Sequence, residues 1–164
     1  MKNVVDVYHR RVSAHGFDFI GHGITSGPEY PQYPEDKKRF TVAGLKKQKK
    51  EYGKLYGTVA DLFDRAQHQV IYLSHNVPYN TKLDEITNKE SPKYGYHYGS
   101  FVSRKIIDKY QPLVCIGGHM HEHFGKDMVG KTTAINAGFG SEVNTLLEIE
   151  NSKIKKLEFW PKKY

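Results

Sequence analysis

Two stretches of this chain are apolar at every position. Val70, Ile71, Tyr72 and Leu73 form one, and Leu113, Val114, Cys115 and Ile116 the other. Uninterrupted short runs predict strands covered on both faces, the habit of a parallel sheet. Between them, Phe101, Val102, Lys105, Ile106, Asp108, Lys109 and Tyr110 alternate apolar and polar residues with helical spacing. That helix should stop where Gln111 precedes Pro112, because proline pushes the preceding residue out of the helical region. A second helical pattern occupies the latter half of residues 41–69, with Leu55, Val59, Leu62, Phe63 and Ala66 on one face. Gly53 and Gly57 leave its start open. Near the beginning, Val4, Val5, Val7 and Tyr8 are strand formers. Phe17, Phe19 and Ile20 follow after a break at Gly16, which predicts a hairpin or meander. Four short strand-like pieces close the chain, at residues 127–129, 132–136, 144–149 and 153–160.

The connections are informative too. Residues 27–34 are rich in Gly, Pro and Tyr and read as a surface loop. Residues 76–98 form a polar connection longer than most, and such loops commonly carry function. Strand, loop, helix, strand is a crossover unit. A right-handed crossover makes its two strands parallel and brings both carboxyl ends to one edge of the sheet. The expected fold class is therefore α/β, with residues 1–164 forming a single domain.

At 164 residues, 38% hydrophobic and 26% charged, the chain has a globular composition and not that of a disordered polyelectrolyte or a fibrous repeat. No apolar run approaches the roughly 20 residues of a spanning helix, so no membrane is expected. The single cysteine, with no export-type apolar core in residues 1–11, points to a reducing, cytoplasmic setting. Any metal site must then use nitrogen and oxygen ligands.

The formal net charge of +7 is unevenly spread. Lys37, Lys38, Arg39, Lys46, Lys47, Lys49, Lys50 and Lys54 form one basic cluster, and Lys153, Lys155, Lys156, Lys162 and Lys163 another. Basic surfaces suit phosphates or nucleic acid, but lysine runs are also ordinary solvated faces. Without a nucleic-acid motif or interleaved aromatic residues, a nucleic-acid partner is not favoured from sequence.

Nine histidines is a high count, and His119, His121 and His123 fall within five residues. Both apolar strands end in histidine: Ser74-His75 closes the first and Gly117-Gly118-His119-Met120-His121-Glu122 the second. Ligands of open α/β sheets bind outside the carboxyl ends of strands. His75, His119 and His121 are thus candidate ligands of a divalent transition metal, Mn, Fe, Zn or Ni, as one or two ions. The glycines would let the backbone turn sharply beside the metal. A lone histidine at a strand end is common, so the Gly-Gly-His-x-His element carries more weight than His75. His9, His15, His22, His68 and His97 lack such context and read as surface or packing residues. His123 reads as an outer residue of the loop, and Cys115 as a small apolar core residue.

The ordered set Leu73-Ser74-His75-Asn76-Val77-Pro78, Gly99-Ser100, Gly118-His119-Met120-His121-Glu122 and Ile135-Asn136-Ala137-Gly138 resembles the calcineurin-like metallophosphoesterase superfamily, in particular the Icc-related predicted phosphoesterases. The resemblance covers residues 17–160. It implies a portion of a four-layer α/β/β/α sandwich, with His75 and His119 as ligands of the second metal and His121 of the first. Asn136 falls in the turn that follows, with no ligand role implied. The family's first three motifs, Asp-x-His, Gly-Asp-x-x-Asp and Gly-Asn-His-Asp/Glu, do not occur here. The resemblance therefore implies a chain that is N-terminally incomplete relative to the family. The implied activity is hydrolysis of phosphomonoesters or phosphodiesters, by this chain or by an assembly of which it is the metal-binding half. Such a chain would need a partner chain or a homo-oligomer. The competing expectation is a non-catalytic module that has kept the fold as a binding scaffold.

Overall fold

The computed structural model describes residues 4–23, 28–138 and 143–161. Gly27 of the first predicted loop, residues 1–3 of the leading segment, and Lys162 and Lys163 of the second basic cluster lie outside the described residues. In chain order the elements are β1 (Arg11–Ala14), β2 (Phe17–His22), α1 (Pro34–Lys37), α2 (Val42–Asp64), β3 (Gln69–Asn76), α3 (Phe101–Tyr110), β4 (Val114–Gly118), β5 (Gly125–Val129), β6 (Thr132–Asn136), β7 (Val143–Glu150) and β8 (Lys153–Pro161).

Six strands form one sheet in the order β1-β2-β3-β4-β6-β5. The central four, β2, β3, β4 and β6, run parallel, and β1 and β5 pair antiparallel at the two margins. Alternating side chains from these strands feed two cores. On one face Ile20, Val70, Tyr72, Cys115 and Ala134 pack against Val59, Leu62 and Phe63 of α2 and Val102, Ile106 and Ile107 of α3. On the other, Ile71, Val114 and Ile135 meet Leu147, Ile149, Ile154, Leu157 and Phe159 of the β7–β8 hairpin. The layers are thus helices, six-stranded sheet and two-stranded sheet. A mixed α/β class is what the apolar runs predicted, since a strand covered on both faces has no polar side.

Local chemistry sets the boundaries. Thr41 caps α2, its side chain accepting from the Gly44 N–H at 3.1 Å, and Ser100 caps α3 by accepting from Ser103 N–H at 3.0 Å. α3 stops where Gln111 precedes Pro112, as the proline rule expects, with Gln111 itself in the left-handed conformation, φ 48°. The helix predicted only for the second half of residues 41–69 runs from Val42, because the cap outweighs Gly53 and Gly57.

The beginning of the chain departs from expectation. The hairpin exists, but its first strand is Arg11–Ala14, turning at His15 and Gly16, both with positive φ. Val4 and Val5 are 69% and 66% exposed and join no named strand. Intrinsic β preference does not make a strand without a partner edge. In addition, β2 is more than a hairpin arm. It pairs with β3 in parallel from Phe17↔Gln69 to His22↔Ser74, which makes it a third strand ending at the same edge.

Candidate functional site

Parallel pairing of β2, β3 and β4 sets His22, His75 and the start of the His119 loop side by side at the carboxyl edge of the sheet. His75 lies where the β3–β4 register shifts, between Leu73 and Asn76, and its ring is 5.0 Å from that of His119 at a 47° tilt. The crossover therefore places the two strand-end histidines together. His121 is exposed two residues further on. Among the described residues, no group of three or more His, Cys, Asp or Glu side chains is placed to hold a metal ion. Two of the three expected ligands are brought into contact distance, and the full set of three is not.

The glycines before His119 do not make the sharp turn expected of them. Gly117 is a strand residue, and a side chain there would meet the Asn76 carbonyl oxygen at 2.9 Å. Its smallness lets β4 press against the backbone that leaves β3. The sharp turn falls on His119 itself, which has φ 69°. A non-glycine residue held in the left-handed region stores roughly 1–2 kcal/mol of strain, and such residues concentrate at functional sites.

The loop bearing His119 and His121 is tied down from two sides. Asn136, fully buried at the end of β6, donates from Nδ2 to the Met120 carbonyl at 2.7 Å and also to the His123 carbonyl. Its Oδ1 accepts from Gly138 N–H at 3.1 Å. Glu122 Oε2 accepts from Thr87 N–H at 2.6 Å and Asn88 N–H at 3.1 Å, stapling the loop to the long connection after β3. Partial burial pushes the Glu122 carboxyl up, but these hydrogen bonds outweigh it and hold the group below its ordinary value. Asn136 and Glu122 are positioning residues.

That long connection is ordered around Asp84. The buried carboxylate accepts from the N–H groups of Asn80, Thr81 and Gly99 at 3.0, 2.8 and 2.8 Å, and it meets His97 Nδ1 at 2.8 Å. Its tyrosines mostly order the loop: Tyr96 O–H donates to Glu35 at 2.7 Å, and Tyr98 O–H to Asp36 at 3.0 Å. Tyr98 also faces a cleft of about 380 Å³ with Arg39, Asn88, Lys93 and Glu122, beside the histidine loop.

His22 lies at the same edge. The sequence reads it as a surface or packing residue, and the structure buries its side chain, 1% exposed, at the end of β2. It shares a cleft of about 280 Å³ with Asp6, Tyr8, Ser74 and His75. Nε2 lies 3.4 Å from Glu29 Oε1, while Nδ1 is buried without a hydrogen-bond partner. His9 stacks parallel to it, ring centroids 5.9 Å apart. Burial and the neighbouring His22 both lower the His9 pKa. Glu29 in turn accepts from Ser100 O–H and from Phe101 N–H at 2.8 Å, closing the start of α3. The available signal was Gly21-His22-Gly23 after an apolar pair, which becomes readable only once β2 is known to be parallel. Cys115 is buried, and burial pushes its thiol up, so it is no nucleophile.

The fold and the edge define a mixed α/β protein with histidines gathered at the carboxyl ends of parallel strands. No family model matches the chain, and no curated protein matches it. Among solved structures, one crystal structure is 19% identical with a TM-score of 0.64, covering 98% of this chain and 55% of that one. A second, of TT1561 of Thermus thermophilus, is 20% identical with a TM-score of 0.49, covering 94% of this chain and 58% of that one. The first likeness is one of fold. The chain spans about half the length of these solved structures.

Proposed function

We propose that this chain is the histidine-bearing portion of a metal-dependent phosphoesterase of the calcineurin-like type, hydrolysing phosphomonoesters or phosphodiesters. One observation carries the reading: the His75 and His119 rings lie 5.0 Å apart at the ends of adjacent parallel strands. Two imidazoles supply half of a four-coordinate site, and His121 is the nearest further candidate in the chain. As they stand, the three histidines do not make a complete metal site among the described residues. A bound divalent transition metal, Mn, Fe, Zn or Ni, supplies a hydroxide nucleophile at neutral pH in enzymes of this class. This chain's own contribution is to hold imidazoles at the edge, with Asn136 and Glu122 fixing the loop that carries them. The helix, sheet and hairpin layers would then be part of a four-layer α/β/β/α sandwich.

A second reading is favoured by the incomplete ligand set together with the half-length match. In it, the chain is a non-catalytic module of the same fold that works with a partner chain. One experiment separates the two. The purified chain is assayed for retained metal, for a rise in melting temperature on adding manganese, and for hydrolysis of an aryl phosphate. The phosphoesterase reading expects all three, and their loss in the His75→Ala/His119→Ala/His121→Ala variant. Metal binding without turnover leaves the module reading. No retained metal, with a melting temperature indifferent to manganese in both proteins, sinks the metal site altogether.

A further inference from the structure

The two lysine clusters have different fates in the fold. In the β7–β8 hairpin two lysines meet acids: Lys155 pairs with Glu150 and Lys156 with Glu158, each at 3.0 Å. Residues 37–54 hold eight cations and one acid, Glu51, with Asp36 just before them beside Arg39. Their excess of seven equals the formal net charge of +7, so the rest of the chain is balanced. The one ion pair these lysines make among the described residues is Lys47–Glu51 at 4.0 Å, between side chains 77% and 62% exposed. A pair so exposed neutralises little.

Geometry makes this charge available. The buried residues of α2, Val59, Ala60, Leu62 and Phe63, all belong to its second half. Lys46, Lys47, Lys49 and Lys50 are exposed on its first half and Lys54 just past its midpoint. Lys46, Lys50, Gly53 and Gly57 follow one another at helical spacings of four, three and four, so they share a face. A Cβ added at Gly53 or Gly57 would meet nothing within 4 Å, which leaves that face low and open beside the lysines. The first turn of α2 contains no acidic residue to offset the positive end of the helix dipole.

We propose that the first half of α2, with Lys37, Lys38 and Arg39 leading into it, binds the phosphodiester backbone of a nucleic acid duplex. Charge complementarity selects the occupant. A duplex presents one phosphate charge per roughly 1.7 Å of axis, so the lysines spread along about 12 Å of helix lie opposite about seven phosphate charges. Stacking on splayed bases is disfavoured, because Lys105 already sits over the Tyr52 and Tyr56 rings, at 5.2 and 5.4 Å. A membrane surface is disfavoured too. Interfacial helices insert a bulky apolar face, and here that face, Leu55, Tyr56, Val59 and Leu62, is packed on the core. The surface also stands close to the histidines. A helix linking two parallel strands runs back against them, so α2 starts at the carboxyl edge, and Arg39 shares its cleft with Glu122. Duplex binding here does not depend on the phosphoesterase reading.

The test is fluorescence anisotropy of a labelled 20-base-pair duplex with the full chain, in EDTA so that metal plays no part, over a salt series. With five lysines engaged, log affinity should fall against log salt with a slope near about −4.5. Replacing Lys46, Lys47, Lys49, Lys50 and Lys54 by Gln should weaken binding at least tenfold and flatten that slope, with the circular dichroism spectrum unchanged. The control variant Lys153→Gln/Lys155→Gln/Lys156→Gln should stay within twofold of wild type. Salt-independent affinity overturns the proposal. So does an equal loss in both variants, or binding to phosphatidylserine vesicles without binding to duplex.

Discussion

The two ends of β2 handle buried polar groups in opposite ways. At its amino end Asp18 is fully buried, and nearly every lone pair is used. Arg11 and Ser13 donate to Oδ1, and the N–H groups of Gln67 and His68 donate to Oδ2 at 2.7 and 3.0 Å. At the carboxyl end, His22 Nδ1, His9 Nε2, Asn76 Oδ1 and His123 Nε2 are all buried without a hydrogen-bond partner. A buried polar group left unpaired costs roughly 1–3 kcal/mol, so folds tolerate few of them. Gln32 and Gln48 carry the other buried unpartnered atoms among the described residues, and none lies at the amino end of β2 beside Asp18. That end is built to hold β1, β2 and the turn before β3 together.

Removing Asp18 should give the largest effect. Asp18→Ala leaves Arg11 and two backbone N–H groups without their acceptor, and a loss of about 3 kcal/mol or more is expected in urea unfolding. A loss under about 1 kcal/mol would break the comparison at its structural end.

The pH dependence sharpens the same point. Burial pushes the Asp18 carboxyl up, but hydrogen bonds from Ser13, His68, Gln67 and Arg11 outweigh it and hold it well below the ordinary carboxylate range. The folded state therefore binds this proton less readily than the unfolded chain does. The stabilisation is complete above the unfolded value of about 3.9 and is lost as pH falls toward the folded one. Stability measured from pH 5 to pH 2 should drop in wild type and drop less steeply in Asp18→Asn.

Next comes Asn136→Ala, which frees the Met120 and His123 carbonyls from their buried donor. About 2 kcal/mol is expected, with faster amide exchange confined to residues 118–124. Exchange that rises equally in β1 would show that Asn136 braces the whole sheet and not the histidine loop.

The smallest effect is expected for His119→Gly. Relief of the left-handed strain offsets part of what is lost with the ring's contact to His75, so the cost should stay below that of Asn136→Ala. Any metal-induced rise in melting temperature should disappear. If this variant costs as much as Asp18→Ala, the carboxyl edge is structural after all.

Much of this molecule is readable from local pattern. β3 and β4 are legible because a strand covered on both faces has no polar side. The end of α3 is legible because Pro112 acts on its immediate neighbour. Val4 and Val5 mislead, because they have strand-forming side chains but join no strand edge. Asp18 and His22 give no warning, since a buried carboxylate and a buried imidazole look like surface residues until their neighbours in space are known.

The sequence by itself determined α3 and the two histidine-ended strands, because hydrophobic period and proline act over a few residues. It also determined that the positive charge is concentrated in residues 37–54. Only the tertiary structure decided that β2 runs parallel to β3, so that His22 joins the same edge. Only the tertiary structure brought Lys155 to Glu150 and Lys156 to Glu158 at 3.0 Å while leaving Lys46, Lys49, Lys50 and Lys54 exposed. Strand pairing and burial depend on residues far apart in the chain, and no local pattern carries them.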